Sequence, residues 1–373
     1  MKKIMFIYGT RPEAIKMAPL VKEFQKYPED FKVTVCLTGQ HRQMLDQINE
    51  FFGIKGNYDL NLMKPNQTLF DIMANCMLGL KDVLAEAKPD LVFVQGDTST
   101  VLAGAISSFF YKIPVAHLEA GLRSGEKYSP YPEEINRILT GHIADYHFAP
   151  TDRAVNNLKI ENITKDVYMV GNTVIDALHL GLDIIKNNGD EKYKEFFKDI
   201  DFSKKVILIT GHRRENFGDG FEHICKAISD IADSHSDVEL VYPMHLNPNV
   251  REPVMKYLSD KSNVHLIEPL DYPYLIWLME KCFFVLTDSG GIQEEAPALG
   301  KPVLVMRDVT ERQEGVEAGT AKLVGTNYDA IVSNVELLLG NDDEYAKMAN
   351  AVNPYGDGTT SKQIVEIIKK IVR

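Results

Sequence analysis

Residues 3–16 read KIMFIYGTRPEAIK. An unbroken apolar run, Ile4 to Tyr8, stops at Gly9-Thr10, and Pro12 stands where a helix to about residue 27 begins, since proline is tolerated in the first helical turn. A strand that is apolar on both faces, with a helix directly behind it, belongs to a parallel sheet covered on both sides. The unit recurs. Strands expected at 32–37, 91–95, 113–118, 146–149 and 167–170 alternate with helices at about 43–51, 68–87, 98–110, 133–144 and 151–158. In the second of these helices Leu69, Ile72, Cys76, Leu80 and Leu84 recur every three or four residues, the period of a helix with one buried face. A second series follows, with strands at 205–210, 239–243, 264–267, 283–287, 302–306 and 321–324, and helices near 221–233, 274–280, 292–299 and 329–339. Between the two series lie a helix at 174–186 and a polar stretch at 187–194. The pattern predicts an α/β protein of two doubly wound Rossmann-like domains with a cleft between them. The boundary is placed near Gly171, giving an N-terminal domain 1–170, a second domain 171–355 and a final helical segment 356–373. Strand order is not expressed in periodicity.

Composition narrows the function classes. A chain of 373 residues, 45% apolar and 25% charged, is long enough for two cores and is neither disordered nor fibrous. Its 41 basic against 53 acidic residues leave a net charge of −12, a field that repels nucleic acid and anionic membrane surfaces. The four cysteines, Cys36, Cys76, Cys225 and Cys282, form no CxxC pair, which suits a reducing cytoplasm. The start resembles a signal peptide only superficially, because its apolar run is short and no small-residue cleavage site follows. No stretch approaches 18 apolar residues, so no membrane span is expected. The histidines show neither HxH nor HExxH spacing, and no metal is expected.

Ligands of open α/β sheets sit beyond the carboxyl ends of the strands, so the polar residues that follow each strand carry the functional reading. The run 283–295, FFVLTDSGGIQEE, is the strongest signal. A strand ends at Thr287-Asp288, and Ser289, Gly290 and Gly291 turn directly into a helix, where backbone N–H groups and the helix field suit a diphosphate. Glu295, one turn in, has the reach to accept from ribose hydroxyls; the plain alternative is a capped helix start with solvated acids. Arg11 and Lys16 sit where a helix start disfavours cations, so either a bound anion or pairing with Glu13 explains them. His212, after a strand and beside Arg213 and Arg214, suits phosphate contact, proton transfer or simple structural satisfaction. Asp97 and Glu119 each end a strand, and Glu133 opens a helix that carries Arg137 four residues on. Acids crowded together would push one of them toward neutrality and supply an acid beside a base.

The blocks 9–16 (GTRPEAIK), 95–98 (QGDT), 117–123 (HLEAGLR), 132–137 (PEEINR), 210–215 (TGHRRE) and 288–295 (DSGGIQEE) together resemble the non-hydrolysing UDP-N-acetylglucosamine 2-epimerases, in order and over nearly the whole chain. The resemblance implies a GT-B-like fold whose last helix returns to the first domain, a homodimer, no cofactor, and reversible inversion at C2 between UDP-N-acetylglucosamine and UDP-N-acetylmannosamine, which bacteria use for surface polysaccharides. It implies catalytic roles for Asp97, Glu119, Glu133 and His212. Substrate-holding roles fall on Arg11, Lys16, Arg137, His245, Ser289, Gly290, Gly291, Glu295 and Arg312. An allosteric UDP-N-acetylglucosamine site in bacterial members matches Gln40, Gln43 and His245, although Asn66 stands where some relatives have arginine. Leu275 stands where many relatives carry an aromatic residue opposite uracil, leaving Tyr272, Tyr274 or an apolar wall for the base. Hydrolysing relatives, glycosyltransferases of the same fold and non-catalytic nucleotide-sugar binders are the rival readings.

Overall fold

β1 (Lys2–Tyr8), β2 (Phe31–Leu37), β3 (Tyr58–Asp59), β4 (Leu91–Gln95), β5 (Val115–Leu118), β6 (Tyr146–Ala149) and β7 (Val167–Met169) form one parallel sheet in the order β3-β2-β1-β4-β5-β6-β7. The computed structural model describes residues 1–39, 42–64 and 66–371, with Arg42 described by its backbone alone. The chain divides into two units, Met1–Leu180 with Tyr355–Arg373, and Gly181–Pro354. That division falls inside the helix Thr173–Asn188, beyond the Gly171 turn.

The central strands of the first unit are buried on both faces, as an all-parallel sheet requires. On one side Phe6 stacks on Phe93 with ring centroids 5.1 Å apart, and Phe24 of the helix Arg11–Gln25 meets both rings edge-on. On the other, Met5, Ile7, Val92 and Val94 pack against Cys76, Leu80 and Leu84 of the helix Leu69–Ala87, the face expected from its spacing. The C-terminal helix Thr360–Ile371 belongs to this unit and packs on Arg11–Gln25. Thr360 Oγ1 donates to Val170 O (2.8 Å), and Ser361 N donates to Asp176 Oδ1 (2.7 Å), so a carboxylate satisfies an orphan donor at that helix start.

In the second unit β8 (Lys205–Thr210), β9 (Val238–Pro243), β10 (Val264–Ile267), β11 (Phe284–Thr287), β12 (Val303–Val305) and β13 (Ala321–Leu323) form a parallel sheet ordered β10-β9-β8-β11-β12-β13. This is the doubly wound order of dinucleotide-binding folds, and the first unit repeats it with one strand more. Leu240, Phe284 and Leu286 form its core with Phe221, Ile224 and Ile228 of the helix Asp219–Ser234. The helices Glu191–Phe196, Pro248–Leu258, Gln313–Ala318 and Asp342–Ala349, and the two-residue β3, have no counterpart in the sequence-based elements. Among the described residues no helix is long and apolar enough to cross a membrane.

Candidate functional site

Strand order reverses between β1 and β4 in the first sheet and between β8 and β11 in the second. The four loops leaving those strands are 9–11, 96–98, 211–213 and 288–291, the same loops in which the sequence collects its acids, cations and glycines.

At the first reversal point Glu119 follows β5 with a left-handed backbone (φ 62°), which costs a residue with a Cβ about 1–3 kcal/mol. Its carboxylate receives Lys16 Nζ at 2.6 and 2.8 Å on its two oxygens, Gln95 Nε2 at 2.5 Å and Asn172 Nδ2 at 3.1 Å. Asp97 follows β4 after Gly96, whose φ of 81° lets the chain turn at the strand end. Arg137 donates to Asp97 Oδ2 at 2.5 Å, and Asn136 Nδ2 holds the Asp97 carbonyl at 2.9 Å. Burial raises the Asp97 pKa above the usual carboxylate value and the Glu119 charge adds to this, while Arg137 pulls it down. His117 lies beneath the same loop, with its ring Nε2 2.7 Å from Gly96 O, and burial lowers its pKa to about 4. The ring is therefore neutral, and Nε2–H donates to the carbonyl.

Glu13 is buried and accepts from Gly9 N (3.2 Å), Thr10 N (2.7 Å) and Thr98 Oγ1 (2.9 Å), fastening the β1 loop to the β4 loop. Lys16, one of the two cations of this helix start, thus pairs with Glu119. Arg11 opens the helix Arg11–Gln25 in a half-buried position. Arg137 likewise departs from the i, i+4 pairing with Glu133: it binds Asp97 and lies 3.3 Å from Glu134, because Glu134 points inward to accept from Ser124 N and Gly125 N at 3.0 Å each. Glu133 begins the helix Glu133–Ile143 half-buried.

At the second reversal point Asp288 is fully buried at the end of β11. Its Oδ2 accepts from His212 N and Arg213 N, both at 2.8 Å, and from Asn216 Nδ2 at 3.3 Å. Its Oδ1 has no hydrogen-bond partner among the described residues and lies 3.5 Å from His212 Nδ1. The His212 ring stacks on His245 at 5.3 Å and 14°. Burial lowers the His212 pKa, Asp288 opposes, and His245 and Arg213 lower it further.

Ser289 stands at the N-cap position of the helix Gly290–Ala298, in extended backbone and with no side-chain cap hydrogen bond among the described residues. Arg312 lies against its first residue: a Cβ on Gly290 would stand 3.0 Å from the guanidinium. Arg312 Nε donates to Glu294 Oε1 (2.9 Å) and Nη1 to Glu311 Oε1 (2.6 Å), so the cation is oriented from both sides. Glu295 is buried and accepts from Tyr272 OH at 3.1 Å. Tyr272 is buried, and Tyr274, half-buried, packs edge-on to Tyr193 at 4.8 Å within a cluster that includes Phe196. Gln43 is exposed on the helix Arg42–Phe51, Asn66 sits in an exposed turn with φ 60°, and Gln40 lies outside the described residues.

Asp288, Glu13, Gln95 and Asn172 are the site-building residues that sequence reasoning left unassigned. Asp288 carried a signal, an acid at a strand end ahead of a glycine turn. Asn172 carried none for this site, because Glu119, the acid it meets there, is remote in sequence.

Two doubly wound units, each with charged loops gathered at its reversal point, make this a Rossmann-like protein of GT-B-like architecture. A family model described as UDP-N-acetylglucosamine 2-epimerase matches residues 22–369. A UDP-N-acetylglucosamine 2-epimerase of Escherichia coli K12 is 54% identical over 371 residues, 98% of each chain, and one of Bacillus subtilis is 53% identical over 366 residues, 98% of this chain and 94% of that one. A crystal structure of the UDP-GlcNAc 2-epimerase of Neisseria meningitidis, bound to UDP-GlcNAc, superposes with a TM-score of 0.90 at 51% identity, covering 99% of this chain and all of that one. The chain belongs to the UDP-N-acetylglucosamine 2-epimerase family.

Proposed function

We infer that the protein is a non-hydrolysing epimerase that interconverts UDP-N-acetylglucosamine and UDP-N-acetylmannosamine. The C2 proton of the sugar is not acidic, because no carbonyl is attached to that carbon. Elimination solves this. The C1–O bond breaks with its electron pair going to UDP, C1 gains oxocarbenium character, and the C2 proton passes to a carboxylate. The product is 2-acetamidoglucal beside UDP. A proton returned to the opposite face of C2 and re-addition of UDP oxygen at C1 give the epimer, with no net redox change.

The observation that carries this reading is the pair of unlike acids at one sheet edge. Asp97, raised by burial and by Glu119, is made easier to protonate, while Glu119 sits among donors that favour its charged form. We assign proton traffic at C2 to Asp97 and Glu119 with Glu133, and the departing diphosphate to His212, Arg11 and the Ser289–Gly291 turn. Arg312 serves the nucleotide, and Glu295 the ribose. In deuterated water we expect solvent deuterium at C2 of both UDP-sugars by NMR. Epimerisation with the original hydrogen retained, or free sugar and UDP accumulating in place of UDP-N-acetylmannosamine, would overturn the reading.

A homodimer is part of this proposal. Leu78, Phe109 and Phe110 are each about two-thirds exposed, and Tyr111 OH bonds Lys81 O at 3.0 Å, which brings the end of the helix Ser99–Phe110 to within one turn of Leu78. Such a patch suits a second copy of the chain. The double variant Phe109→Glu/Phe110→Glu should elute as a monomer in light-scattering chromatography; an unchanged mass would place the contact elsewhere.

A further inference from the structure

We propose that Asn172 is a positioning residue for Glu119, tying that carboxylate to the two points where the chain leaves and re-enters the first unit. Asn172 is buried and immediately precedes the helix Thr173–Asn188, along which the chain passes to the second unit. Its backbone N–H donates at 2.7 Å to the carbonyl of Tyr355, the residue at which the chain returns. Its side-chain Oδ1 accepts from Val174 N at 3.1 Å, as a helix cap does. That bond fixes the orientation of the amide: with oxygen committed to the helix, the NH2 group faces Glu119 Oε1 at 3.1 Å.

Asn172 adds to the carboxylate a donor that the backbone holds in place. Lys16 is the end of a long flexible chain, and its ammonium follows the charge wherever it moves. Gln95 Nε2 grips Oε2 at 2.5 Å. Asn172 grips the opposite oxygen from rigid backbone, and the two amides together define the plane of the carboxylate. The left-handed backbone of Glu119 persists because these contacts over-determine it.

The inference rests on the reading of Glu119 as a reacting carboxylate, and the test separates the two. Asn172→Ser keeps an oxygen that can cap Val174 N and loses the NH2 group. Asn172→Asp also keeps the cap but turns a carboxylate toward Glu119. Epimerase assays from pH 5 to 9 with each variant, with thermal melts alongside, should show a melting temperature close to wild type for Asn172→Ser and a lower one for Asn172→Asp, whose carboxylate faces Glu119 within a buried site. For Asn172→Ser, kcat should fall about tenfold with KM changed less than about twofold, and the acidic limb of the kcat profile should move up by about half to one pH unit, since removing a donor favours the protonated acid. Asn172→Asp should move the same limb further. Wild-type kcat and limb in both variants would overturn the proposal, as would parallel losses of kcat and UDP binding with the limb unmoved. A wild-type chain that makes no UDP-N-acetylmannosamine would instead sink the epimerase reading beneath it.

Discussion

Asp97 and Glu119 end neighbouring strands, and their surroundings give them different work. Asp97 has one strong cationic partner, Arg137, set against burial and a like charge, and the balance lifts its pKa. Glu119 is met by an ammonium and two amides. On the proposed mechanism, a carboxyl made easier to protonate stands beside one whose donors favour its charged form, and the two share the proton traffic. Asp97→Asn should therefore leave UDP affinity near wild type by calorimetry while kcat falls about 10²–10⁴-fold, the scale of acid–base catalysis. Equal losses of affinity and turnover would make Asp97 structural. The positions of both acids were legible in the sequence, since each follows a run apolar on both faces. Their partners were not. Lys16 reaches Glu119 across 103 residues, and Arg137 chooses Asp97 over its helical neighbour Glu133, a choice made by where the helix lies against β4 and invisible to spacing alone. Glu295 repeats the lesson: one turn into its helix it reads as an open acceptor, but the buried Tyr272 hydroxyl already occupies one of its oxygens.

The turn 289–291 shows the same logic in an element. Arg312 rests against Gly290 where a side chain would otherwise stand, and is in turn held by Glu294 one turn along that helix. Gly290→Ala would place a methyl 3.0 Å from the guanidinium. The flexible arginine can yield by a few tenths of an ångström, so the fold should survive, but the cation is displaced from its present position against the helix start. UDP affinity should fall about tenfold, the scale of one charged hydrogen bond, with the thermal midpoint shifted by only a few degrees; unchanged affinity would free Arg312 of any nucleotide role. Elements with a strong period were legible in the sequence, and those lost had none. The helix Pro248–Leu258 contains Pro253, which argues against a helix when read locally. Asp342–Ala349 buries no residue and so has no apolar stripe, and β3 is two residues added to a sheet edge.

For the molecule as a whole, the cost of a buried parallel sheet appears in its response to acid. His117 and His147 are paired in register on β5 and β6, both buried, and burial lowers the pKa of each to about 4. The sign follows from which state takes the proton first. Above the usual pKa of 6.5 both rings are neutral in either state, and the shift has no effect on stability. Below it the unfolded chain binds protons that the fold refuses, so stability falls until about pH 4, where the folded rings titrate too. Each ring can account for up to about 3 kcal/mol across that window, at 1.36 kcal/mol per pKa unit. Asp97 and Asp176 act in the opposite sense, because their raised values mean the folded state takes protons before the unfolded one, which softens the fall at its acid end. Urea midpoints followed by circular dichroism should be flat from pH 7.5 to 6.5 and then drop toward pH 4. His147→Gln, which removes one titrating ring and leaves the His117 bond to Gly96, should drop about half as far. Identical curves for the variant and wild type would mean that His147 takes up its proton within the fold, and the dry strand pair inferred from burial would have to be replaced by one that water reaches.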